Sequence, residues 1–122
     1  MKSLGMMVAI AASMVVTPAV LAQSSSVEIG YERGALGFEA LMANDNQTAL
    51  RQIQSAKSVP HNDPARLINL GRAHARLGNV SQAQLAFEAA ANCREHFDIV
   101  LSNGKIMNSR KAAMLSLQSL KK

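Results

Sequence analysis

The 122-residue chain has no tryptophan, a single tyrosine and three phenylalanines. Single-stranded nucleic acids are held largely by stacking on aromatic rings. With aromatics at 3% of residues, no nucleic-acid partner is expected despite a formal net charge of +5. The basic excess is read instead as a solvated surface. A lone cysteine, Cys93, rules out an internal disulfide. Eight acidic residues are spread along the chain, so no pair of carboxylates is set up for acid–base work. A glycine-rich phosphate loop and a Ser-His-Asp order are also missing. No catalytic residue is assigned, and the protein is expected not to be an enzyme. Asn44-Asp45-Asn46 has calcium-like composition but lacks the later glutamate of an EF-hand loop, so it reads as a turn. Cys93 and His96 form a Cys-x2-His pair, with His74 one further soft ligand, where a structural zinc site needs four ligands. No metal and no cofactor are expected.

What is present begins with an address. Lys2 supplies a positive start, and Leu4 to Val16 follow without a charge. Thr17-Pro18-Ala19-Val20-Leu21-Ala22 then ends the run, with Pro18 breaking the helix and Val20 and Ala22 at the minus-three and minus-one positions. Residues 1–22 are therefore expected to be a signal peptide, cleaved after Ala22, and the protein to be exported to the periplasm. No cysteine follows the cut to take a lipid. Left uncut, the run would serve as a short membrane anchor. Gln23 to Lys122 suffices for one small domain. Residues 23–29 open with Gln23-Ser24-Ser25-Ser26 and are expected to be a mobile polar lead.

From there a period appears. Written in two rows offset by 34 residues, Leu36-Gly37 falls over Leu70-Gly71, Ala49 over Ala83, Ile53 over Phe87 and Ala56 over Ala90. Every matched pair is apolar or small. Antiparallel helices in a tight hairpin need a small residue where backbones approach and larger ones above and below it. Gly37 and Gly71 are the expected approach points, with Ala49 and Ala83 answering from the second helices.

The spacing resembles the tetratricopeptide repeat (TPR) family, whose ~34-residue unit reads W-x2-L-G-x2-Y, then A-x3-F, then P. Residues 64–96 match best, as Leu67-x2-Leu70-Gly71-x2-His74 followed by Ala83-x3-Phe87. Residues 30–63 give Arg33-x2-Leu36-Gly37-x2-Ala40, then Ala49-x3-Ile53. The whole is similar to small exported tetratricopeptide proteins of Gram-negative bacteria. The resemblance implies a mainly all-α fold of two antiparallel helical hairpins and a protein that holds another polypeptide. It implies that the first helix of each hairpin lines a concave, peptide-binding face. The corresponding residues are Tyr31, Phe38, Leu41 and Met42 in the first unit, and Ile68, Asn69, Arg72 and Arg76 in the second. Arg72 and Arg76 stand one turn apart and would suit an acidic segment or a C-terminal carboxylate.

Local signals agree with the period. Asp63-Pro64 is a good helix start, Gly78-Asn79 a stop, and Asn79 or Ser81 a cap for the next helix. Val59-Pro60 is expected to end the second helix. Cys93, three residues after Ala90, is expected on the buried face of the fourth helix; exposed, it could cross-link two chains. Residues 97–122 differ. Phe97 to Leu101 are rich in strand formers, and Asn103-Gly104 predicts a β-hairpin turn. A last helix from Ser109 to Leu120, capped by Asn108 or Ser109, is expected to cover the end of the second hairpin, a task a homodimer could share. Two alternatives to a periplasmic scaffold stay open: a membrane-associated scaffold kept by an uncut signal, and a thiol or metal protein centred on Cys93.

Overall fold

The computed structural model describes residues 30–101 and 103–122. The expected signal peptide and polar lead, residues 1–22 and 23–29, lie outside the described residues. Within these, five helices and two short strands follow in the order α1 (Phe38–Met42), α2 (Asn46–Ser55), α3 (Pro64–Arg76), α4 (Val80–Ala91), β1 (Asp98–Val100), β2 (Ile106–Asn108) and α5 (Ser109–Leu120). The fold is mainly helical with one small antiparallel sheet.

The first helix is shorter than the resemblance implies. Residues 31–37 form turns and bends, so Tyr31 does not lie on a helix. Gly37 stands at the N-cap of α1 with φ 61° and ψ 20°, a left-handed conformation that halts a helix and favours glycine. It is nonetheless a point of close approach: a Cβ there would lie 3.0 Å from the Ala49 carbonyl oxygen and 3.1 Å from its Cα. Asp45 caps α2 by accepting from the Thr48 N–H at 3.2 Å. Ala49 and Ile53, four residues apart on one face, are fully buried. The helix ends at Ser55, four residues before Val59.

Asp63 caps α3 as its sequence predicts, with Pro64 at the first helical position and Asp63 Oδ1 accepting from the Arg66 N–H at 3.0 Å. A three-residue turn containing Gly78 joins α3 to α4, and the two helices pack along each other. At Gly71 the residue that answers most closely is Phe87 rather than the expected Ala83: a Cβ would come 2.6 Å from Phe87 Cε1, so the missing side chain is what seats the buried Phe87 ring. In the tail, Asp98 pairs with Asn108, Ile99 with Met107 and Val100 with Ile106. Asn108 then caps α5 through Oδ1, which accepts from the Arg110 N–H at 3.1 Å. α5 packs against α4 and α3.

The larger core cluster joins Leu36, Val59, Leu67 and Ile68 to Ile99, Leu101 and Ala113, so the sheet is anchored on the helices through β1. A smaller cluster holds Ala40, Leu41, Ala49 and Ala73. Among the described residues no helix is long and apolar enough to cross a membrane.

Candidate peptide-binding site

The eight residues that the resemblance assigns to a binding face separate into three groups. Leu41 and Ile68 are fully buried in the two core clusters, where their side chains fill space between helices. Helical spacing places a residue on a face; here that face is turned inward. Met42, Arg72 and Arg76 form a second group. Met42 is exposed. Arg76 Nη1 donates to the Leu41 carbonyl at 2.8 Å and to Asn46 Oδ1 at 3.4 Å, tying the end of α3 to the α1–α2 turn. Arg72 is half-buried, and its guanidinium pKa is lowered first by burial and then by the neighbouring Arg76 charge.

The third group comes together. Tyr31, Phe38 and Asn69 line one cleft of about 510 Å³ that also includes Leu36, Ala65 and β1. Two of them are held by hydrogen bonds to residues distant in sequence. The Tyr31 hydroxyl donates to Asp63 Oδ2 at 2.9 Å, using the carboxylate oxygen that the α3 cap leaves over. Burial, and then the hydrogen bond and charge of Asp63, push the Tyr31 phenol above its usual pKa, so it stays a neutral donor. Asn69 is buried and its amide donates to the Leu36 carbonyl at 2.9 Å, fastening the 31–37 segment to α3. The cleft thus has two walls joined by hydrogen bonds, one from the turn-rich segment and one from the first half of α3.

The third wall comes from Phe97 and from Asp98, Ile99 and Val100 of β1. None of these was singled out as a site residue. The strand formers before Asn103-Gly104 announced a hairpin, but which of its edges faces a cleft depends on how the sheet docks on α3. Asp98 is the one charged residue among those lining the cleft. No group of three or more His, Cys, Asp or Glu capable of holding a metal occurs among the described residues.

The chain matches no family model, no curated protein and no solved structure. The functional reading therefore rests on the residues themselves.

Cys93 departs from its expected place. α4 ends at Ala91, and Cys93 lies beyond it, half-buried against the larger core cluster. Its Sγ lies 3.2 Å from the carbonyl oxygens of both Asn62 and Ala89, so the thiol donates to main chain. Burial and then the Asp63 carboxylate raise its pKa, against a smaller opposing effect of Arg110. A reactive thiol requires the opposite shift.

Proposed function

We propose that this protein is a non-catalytic interaction module that holds an extended segment of another polypeptide in the cleft between the 31–38 segment, α3 and β1. The observation that carries this reading is the convergence of Tyr31, Phe38 and Asn69 on one largely apolar cleft with only a few polar groups. Ligand sites are concave, mostly apolar and oriented by a small number of fixed polar groups. The Asn69 amide and Tyr31 hydroxyl are such groups, each held by a hydrogen bond of its own. The architecture that goes with this reading is tetratricopeptide-like: α1–α2 and α3–α4 as two hairpins, then the β-hairpin, with α5 covering the end. It is supported by close glycine approaches at Gly37 and Gly71, one in each unit.

The reading includes export to the periplasm as a scaffold or assembly factor, supported by the Lys2-to-Ala22 pattern. The mass of the protein recovered from its own cells tests that part, since cleavage after Ala22 leaves Gln23 first. The binding reading is tested by selecting peptides from a random display library on the purified protein. Enriched peptides should bind in solution, and Tyr31→Ala should weaken them while Tyr31→Phe, which keeps the ring, weakens them less. Peptides that bind equally to all three proteins, each folded by circular dichroism, would remove the cleft from consideration.

A further inference from the structure

The hydrogen-bond phase of the hairpin decides what β1 offers to the cleft. The Ser109 N–H donates to the Phe97 carbonyl at 2.8 Å, and the Leu101 N–H donates to the Lys105 carbonyl at 2.8 Å. Both are odd-numbered positions of the β1 segment. In an antiparallel pair, hydrogen-bonded positions alternate with positions whose N–H and C=O point the other way. Ile99 therefore faces β2, while the N–H and C=O of Asp98 and Val100 turn outward. The sheet has only these two strands among the described residues, so none of those residues adds a strand to that edge. Such an edge beside an apolar cleft is a template for strand addition.

We infer that a partner segment docks by adding a third strand to the Asp98–Val100 edge, with a lysine or arginine beside Asp98 and an adjacent large apolar side chain facing into the Tyr31–Phe38 cleft. The inference rests on the peptide-binding reading and gives it a mode and a ligand chemistry. Charge complementarity sets the basic position, because Asp98 is the charge that lines the cleft and cross-strand neighbours of opposite sign stabilise a sheet. Alternation sets the apolar position. Ile99 is buried and lines the cleft, so a ligand residue opposite it continues that face onto Tyr31, Leu36 and Phe38. Main-chain hydrogen bonds at Asp98 and Val100 would supply affinity, and the alternating side chains selectivity.

The experiment uses peptides enriched on the wild-type protein, measured against Val100→Pro and Asp98→Lys. Proline at Val100 removes an outward N–H and leaves the bonds to β2 in place. Binding should fall by up to about tenfold in Val100→Pro, as loss of one main-chain hydrogen bond implies, and Asp98→Lys should reject peptides carrying the basic residue. On the wild-type protein, N-methylation of alternate peptide amides should abolish binding in one phase and spare it in the other. Insensitivity to both Val100→Pro and amide methylation would overturn strand addition while leaving peptide binding intact. A library that yields no binding peptide would overturn both. A dimer abolished by Val100→Pro would assign the edge to a second copy, and peptide binding that emerges only on deleting residues 23–29 would assign it to the chain's own segment; either overturns the inference.

Discussion

Ser109 holds Phe97 twice. Its N–H donates to the Phe97 carbonyl at 2.8 Å, and its fully buried hydroxyl accepts from the Phe97 N–H at 3.2 Å. The first residue of α5 thereby fixes the start of β1, and with it the phase that turns Asp98 and Val100 toward the outer edge. Replacing Ser109 by alanine removes the acceptor and leaves the Phe97 N–H without it. Stability should fall by about 1–2 kcal/mol, and amide exchange at Phe97 should accelerate, as read by hydrogen–deuterium exchange.

Gly71→Ala should be among the most damaging small substitutions. The new Cβ would lie 2.6 Å from an atom of the buried Phe87 ring, which is not a flexible chain end. Overpacking of this kind costs about 1–3 kcal/mol, and in a domain of this size each kcal/mol lowers the melting temperature by roughly 4–8 °C. Adding Phe87→Leu should recover part of the loss. Thermal denaturation of the three variants checks both statements.

Arg66 is a buried cation that stabilises a loop. Its Nη1 donates to the carbonyls of Ala56 and Val59, each at 3.0 Å, gathering the connection between α2 and α3. Arg66→Met keeps much of the volume but leaves two acceptors without this donor. The expected cost is about 2 kcal/mol in urea denaturation, with proteolysis appearing first between residues 56 and 62.

His74 sets a pH dependence. Asn79 Nδ2 lies 3.2 Å from His74 Nδ1, an arrangement in which the neutral ring accepts from the amide. Burial lowers the His74 pKa. A pKa depressed on folding contributes stability that is present above the unfolded value of about 6.5 and is lost as pH falls through the folded value. The melting temperature should therefore drop more steeply below about pH 6.5 in the wild type than in His74→Gln. Equal slopes would contradict the assignment.

Local chemistry made much of the fold legible. Asp63-Pro64 capped a helix, Asn103-Gly104 turned a hairpin, and α5 spans Ser109 to Leu120, because each signal acts within a few residues. The Gly37–Ala49 approach was also legible, since only a small residue fits there. The length of α1 was not, because a positive φ at Gly34 and Gly37 overrides the helical period. Leu41 and Ile68 illustrate the wider limit: a repeat places residues in register without deciding which face is buried. The edge of β1 was out of reach for the same reason, since its neighbours Tyr31, Phe38 and Ala65 are distant in sequence.

The most direct measurement is amide and side-chain NMR of the labelled protein titrated with an enriched peptide. Shifts should concentrate at Tyr31, Leu36, the Asn69 side-chain amide and the Asp98 and Val100 N–H groups. The Asp98 and Val100 amides should also become protected from exchange. Shifts confined to Arg72, Arg76 and Met42, with Asp98 and Val100 unmoved, would contradict the cleft as the binding site.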